Sequence, residues 1–168
     1  MTDVNIIAPK SKVDGNYTLP IDINGKIFSI KFDPGANQSV ISVDFLTDDL
    51  SEEQRKRFIE LVKSKHTPRG DFVSASGRSF QGYLVHAKNV LVGGELFADF
   101  YYYLILENDR ILALLGEDFL ENCGYSHEPH GDIKITTFDF ESYGKHREDS
   151  ISNEDFISYI DEVTAKNH

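Results

Sequence analysis

Phe32-Asp33-Pro34-Gly35-Ala36-Asn37 is the stretch on which the reading of this chain turns, and its meaning comes from its surroundings. Upstream, Leu19, Ile21 and Ile23 alternate with polar or turn residues, Asn24-Gly25 intervenes, and Phe28, Ile30 and Phe32 alternate again. Period-two patterning on both sides of Asn-Gly predicts a β-hairpin, because those two residues accept the positive φ angles of a type I′ turn. The second strand runs directly into Asp33. Pro34 and Gly35 interrupt the ladder, and Ser39-Val40-Ile41-Ser42-Val43 resumes it. A carboxylate is thereby held on a tight turn at the end of an apolar strand. On this triplet alone two readings stand: a turn aspartate bonded to its own backbone, or a carboxylate presented for chemistry.

Downstream, Ser51 caps a predicted helix over Glu52 to Lys65. Gln54 completes a capping box, Phe58, Ile59, Leu61 and Val62 form its apolar stripe, and Thr67-Pro68-Arg69-Gly70 stops it. Its charged run, Glu52 to Arg57, reads as a solvated face. From Phe72 to Leu106 the chain reads as strands. Phe72-Val73 and Tyr83-Leu84-Val85 flank a small-residue turn, Ser74-Ala75-Ser76-Gly77. Asn89 to Val92 and Leu96 to Leu106 flank Gly93-Gly94, which lacks the lysine and spacing of a phosphate loop and reads as a hairpin turn. A buried strand is expected over Ile111 to Leu115, a short helix from Glu117 to about Asn122 closed near Gly124, and a last strand over Ile133 to Phe138. The tail from Ser150 reads as a helix with Phe156, Ile157, Ile160 and Val163 on one face.

Bulk properties bound the function. A chain of 168 residues, 40% hydrophobic and 27% charged, suits one soluble domain that needs no metal or disulfide for its core. The net charge of −11, from 17 basic and 28 acidic residues, repels phosphate backbones and anionic lipid, so neither nucleic acid nor membrane is expected as a partner. One cysteine, Cys123, excludes an intrachain disulfide and suits a reducing compartment. Residues 1–15 lack an apolar signal core, and a cytoplasmic location is expected.

The order of features resembles the retropepsin-like aspartic proteases. The resemblance rests on Phe32-Asp33-Pro34-Gly35-Ala36-Asn37 followed by Ser39-Val40-Ile41-Ser42, on Ser74-Ala75-Ser76-Gly77, and on Ala113-Leu114-Leu115-Gly116-Glu117-Asp118-Phe119-Leu120, and it spans roughly Tyr17 to Phe138. The last piece looks like the family's hydrophobic-hydrophobic-Gly signature, which packs under the catalytic loop. The resemblance implies an all-β fold with added helices: a closed, single-lobed acid-protease barrel over residues 1–148, with a helical insertion at about 51–66 and a helical tail over 149–168. It implies that Asp33 is the catalytic aspartate, that Gly35 brings backbone close to substrate, that Ala36 is the small residue after it, and that Asn37 bonds the substrate backbone. Ser74, Ala75, Ser76 and Gly77 would lie in the flap closing over a polypeptide.

Hydrolysis by this route needs two carboxylates sharing one proton, and like charges that close cannot both ionise. One Asp-x-Gly loop per chain therefore implies a homodimer presenting Asp33 twice. Two departures from the family pattern stand out. Pro34 occupies the place of Thr or Ser, removing both the hydroxyl that bonds the other subunit and the N–H that donates in return. Glu117 and Asn37 occupy positions where retroviral members pair Arg with an acid, so the loop's support must differ. The alternative is a catalytically silent module of this fold that binds peptides or dimerises; a third reading is an unrelated β-domain. No cofactor is expected, and no metal: His127-Glu128-Pro129-His130 has two imidazoles, but Pro129 argues against a regular helix and no further ligand cluster accompanies them. Cys123, inside an apolar stretch, reads as a small buried thiol, and Ser74 and Ser76 lack the flanks of a nucleophile elbow.

Overall fold

The computed structural model describes residues 1–74, 76–107, 112–129, 131–144 and 149–165. The expected hairpin forms as β2 (Thr18–Ile23) and β3 (Lys26–Phe32), with Ile23 opposite Lys26. Asn24 and Gly25 take φ of 52° and 82°, the paired left-handed geometry of a type I′ turn.

Five further strands complete the main sheet: β4 (Val40–Ser42), β5 (Gly70–Val73), β6 (Ser79–Val92), β7 (Glu95–Ile105) and β8 (Ala113–Leu115). Their order is β2-β3-β8-β4-β7-β6-β5, and β2 also pairs with β6 through Ile21–Val92 and Asp22–Leu91. That extra pairing closes six strands into a barrel and leaves β5 appended to β6. Closure removes the exposed edges that an open sheet of this length would present.

A second, three-stranded antiparallel sheet is ordered β1 (Thr2–Ala8), β10 (Ile133–Phe138), β9 (Cys123–His127). It buries Ile6, Ala8, Ile133, Ile135 and Phe138. Phe138 packs edge-on to Phe97 of β7, with ring centroids 4.9 Å apart, and against Phe119 at 4.8 Å. Each such fully buried ring contributes roughly 2–3 kcal/mol through the water it leaves.

Five helices are described. They are α1 (Val43–Leu46), α2 (Glu52–Lys65), α3 (Glu117–Leu120), α4 (Phe140–Tyr143) and α5 (Asn153–Thr164). The expected capping box of α2 is present: the Gln54 N–H donates to Ser51 Oγ, and the Ser51 N–H donates to Gln54 Oε1. The tail docks on this helix through Phe58 and Phe156, 5.3 Å apart, and through His66 Nε2 and the Tyr159 hydroxyl at 2.7 Å. Ahead of it, Ile151 bridges Val85 of β6 in parallel, donating to Leu84 O and accepting from the His86 N–H. Among the described residues, no helix is long and apolar enough to cross a membrane.

Three boundaries differ from the sequence expectation. Val43 opens α1 instead of extending the strand, and its carbonyl accepts the Thr47 hydroxyl. α3 ends at Leu120 because the chain must turn at once into β9, where Gly124 lies against the Thr137 side chain with no space for a Cβ. The expected buried strand begins at Ala113; Ile111 lies outside the described residues.

Candidate active site

Asp33 is placed by strand β8, which lies between the two strands joined by the Asp33 loop. β8 runs parallel to β3, with Leu115 opposite Phe32, and antiparallel to β4, with Leu114 opposite Val40. The segment Asp33 to Ser39 leaves β3 and returns as β4, so it must cross the end of β8. The Asp33 N–H donates to Leu115 O at 3.0 Å, extending the ladder by one residue. The turn then closes twice. The Ala36 N–H donates to Asp33 O at 3.1 Å, and the Gly35 N–H donates to Asp33 Oδ1 at 3.1 Å. The other carboxylate oxygen, Oδ2, lies 4.0 Å from Lys31 Nζ, and the Asp33 side chain is 26% exposed. The two sequence readings of the triplet are thus compatible, since Asp33 makes the turn bond with one oxygen and remains open to solvent.

The loop rests on the turn into α3. The Glu117 N–H donates to Ala36 O at 2.8 Å, and the Asp118 N–H to Asn37 O at 3.2 Å. Gly116 lies so close beneath that a Cβ there would sit 2.6 Å from the Gln38 carbonyl and 2.8 Å from Ala36 O. Its backbone is extended (φ −101°), so closeness and not left-handed geometry is what requires glycine here. Beneath the loop, Asp118 Oδ1 accepts from the Ser39 N–H (2.9 Å), the Ser39 hydroxyl (2.7 Å) and the Phe119 N–H (2.9 Å). Ser39 Oγ in turn accepts from the Gly116 N–H at 3.0 Å. Both side chains are buried, where a carboxylate is tolerated only with such donors around it. This network supports the loop from below. Phe119 and Leu120, both buried in the core, anchor α3 against the barrel.

β5 and β6 form the expected hairpin, with Phe72 opposite Phe80 and Val73 opposite Ser79. At its tip the Gly77 N–H donates to Ser74 O at 2.9 Å, Gly77 takes φ +85°, and the Ser74 and Ser76 hydroxyls are 2.8 Å apart. Ala75 lies outside the described residues. At the hairpin's base the Phe72 ring covers Gly82, where a Cβ would meet Phe72 Cε2 at 2.5 Å, and packs on Tyr103 at 5.1 Å. Val40, Phe80, Ile105 and Leu112 form a small apolar cluster here, joined by Phe72, Tyr103 and Leu114. Register aligns Thr18, Lys31, Leu114, Val40 and Tyr103 in one row across five strands. The row is cationic at Lys31, beside Asp33, and apolar from Leu114 towards the hairpin.

The structure therefore gathers Asp33, Gly35, Ala36 and Asn37 in one loop, and places Ser74, Ser76 and Gly77 together at a hairpin tip. Ser39, Asp118 and Lys31 escaped the sequence reading. Lys31 was legible, being two residues before Asp33 on an alternating strand; the Ser39–Asp118 pair, 79 positions apart, carried no local signal. The remaining candidates lie elsewhere. His127 Nε2 is 2.6 Å from the Tyr17 hydroxyl, Glu128 is 4.0 Å from Lys134, and His130 is outside the described residues. No group of three potential metal ligands occurs among the described residues. Cys123 is half-buried, its Sγ donating to Phe119 O at 3.7 Å, and burial pushes its thiol up to about 12, which keeps it protonated at neutral pH.

No protein-family model and no curated protein sequence matches this chain. Solved structures do. A retropepsin-like aspartic protease from Rickettsia conorii superposes with a TM-score of 0.55 at 17% identity, covering 79% of this chain and 91% of that one. A looser match to EIAV protease has a TM-score of 0.42 at 13% identity, covering 66% and 90%. The chain has the retropepsin-like fold, in a single lobe.

Proposed function

We propose that two copies of this chain assemble about a twofold axis into an aspartic endopeptidase acting on polypeptides. The observation that carries the reading is the partly exposed Asp33 carboxylate, held at a strand end on a loop fixed from below by Gly116 and the Ser39–Asp118 network. In the dimer the two Asp33 side chains share one proton. The ionised carboxylate takes a proton from a water whose oxygen attacks the scissile carbonyl carbon, and the protonated one gives its proton to the carbonyl oxygen. Collapse of the resulting diol breaks the C–N bond as the amide nitrogen gains a proton. The hairpin carrying Ser74, Ser76 and Gly77 covers the extended substrate.

Pro34 favours a second reading, a peptide-binding or dimerising module of the same fold that no longer cuts, because it lacks the hydroxyl that knits the two loops together. One experiment separates the two. Casein and unbiased peptides are incubated at mildly acidic pH with the wild type and with Asp33→Asn, and the assembly state is measured by sedimentation. Cleavage by a dimer, abolished by Asp33→Asn and by a statine-type inhibitor, supports the enzyme. A dimer that binds peptides without cutting them supports the module, and a monomer that does neither defeats both.

A further inference from the structure

Strand β3 alternates along its length. Phe28, Ile30 and Phe32 turn towards the core, while Ile27, Ser29 and Lys31 lie on the outer face that leads into Asp33. Lys31 stands two residues before Asp33 on that face, its side chain 41% exposed and its Nζ 4.0 Å from Asp33 Oδ2. That contact is too long for a hydrogen bond and is the one ion pair of Lys31 among the described residues. An ammonium group has three donors, so this one retains capacity for another anion. Its cross-strand neighbour is Leu114, after which the row becomes apolar through Val40 to Tyr103. In a chain of net charge −11, the floor beside the candidate catalytic carboxylate thus carries a cation.

We propose that Lys31 selects polypeptides with an acidic side chain next to the scissile bond, recognising that carboxylate through its ammonium group. The inference rests on the protease reading above and names the substrate class of the same site. A carbonyl poised over Asp33 brings the flanking side chain to the same strand end, within reach of Nζ. A neutral or cationic side chain there leaves the ammonium without a second anion or repels it. The twofold axis supplies a second Lys31, so an acidic residue is favoured on either side of the cut. The gain is that of a partly exposed ion pair and amounts to a preference of about fivefold in kcat/KM over a leucine at the same place.

The test is a peptide library of unbiased sequence, digested by the wild-type chain and read by mass spectrometry. Alongside it, binding of Glu-flanked and Leu-flanked peptides to the non-cleaving Asp33→Asn variant is followed by fluorescence anisotropy. Expected are Asp and Glu enriched beside the cut in the wild type, loss of that enrichment in Lys31→Met, and a shift towards Lys and Arg in Lys31→Glu. The Asp33→Asn variant should hold the Glu-flanked peptide more tightly, and a Lys31→Met change added to it should remove the difference. Cleavage that Asp33→Asn abolishes but that shows no acidic preference, or a preference that survives Lys31→Met, overturns this assignment alone. Absence of any cleavage overturns the protease reading, and the anisotropy comparison then decides whether Lys31 still selects acidic peptides. Thermal melts of each Lys31 variant separate altered selection from misfolding.

Discussion

Ser39 Oγ donates to Asp118 Oδ1 at 2.7 Å, joining the return strand of the Asp33 loop to the helix on which that loop rests. The same oxygen accepts two backbone N–H groups, from Ser39 and Phe119. Asp118→Ala leaves three buried donors without this acceptor and should destabilise the fold by about 3 kcal/mol or more. Asp118→Asn keeps an acceptor oxygen in place and should lose less. Urea denaturation of both variants against the wild type measures the order, and equal losses would show that the oxygen is not what matters.

Gly116→Ala pushes a methyl group into the Gln38 and Ala36 carbonyls, which are backbone and cannot swing aside. The overpacking costs about 1–3 kcal/mol and displaces the loop upward. Cleavage should fall by far more than the stability loss explains, since catalytic geometry tolerates little displacement. Comparing melting temperature with kcat/KM on one peptide checks this, and a variant that melts early but cuts normally contradicts it.

Pro34→Thr restores both the hydroxyl and the backbone N–H on the exposed crown of the loop. In a twofold dimer the exchange forms two bonds at once, each worth roughly 1 kcal/mol, so the dimer dissociation constant should fall about thirtyfold. Sedimentation velocity across a dilution series reads the shift. An unchanged constant would place the dimer contact away from this loop.

Asp99 gives a pH dependence. The Lys88 ammonium, 2.7 Å away, and then the His86 ring, also 2.7 Å away, hold its carboxyl below the usual carboxylate range. A depressed carboxyl contributes stability above its unfolded value of about 3.9, and that contribution is lost as pH falls through the lower folded value. The side chain is 42% exposed, so solvent screening limits the effect to about 1 kcal/mol or less. Asp99→Asn should therefore cost stability at neutral pH and progressively less as pH falls below the unfolded value of about 3.9. Denaturation at neutral and at acid pH tests the sign, and an equal cost at both would exclude an electrostatic origin.

What could be read before the fold was known followed local pattern. The hairpin around Asn24-Gly25 and helix α2 were legible because a turn dipeptide, a capping box and strict periodicity lie within a few residues of one another. β1 was not: its alternation is broken by an irregularity between Asp3 and Ile6, and four of its seven residues are polar or exposed. β9, Cys-Gly-Tyr-Ser-His, has no apolar face of its own and becomes a strand only because β10 pairs with it. In the site, Asp33 could be singled out from its turn and its place in a series of motifs. The bonds that support it could not, because they are satisfied by a residue whose acidic side chain, in sequence, resembles any solvated one.

The insertion of β8 between β3 and β4 also dictates an order of assembly. The acid loop is made in the first quarter of the chain, yet its floor is supplied by residues 113–118. During synthesis that loop has nothing to rest on until residues 113–118 have emerged, and contacts so distant form late in folding. A growing chain thus carries its acid in an unformed state. The site completes itself only when those distant residues arrive.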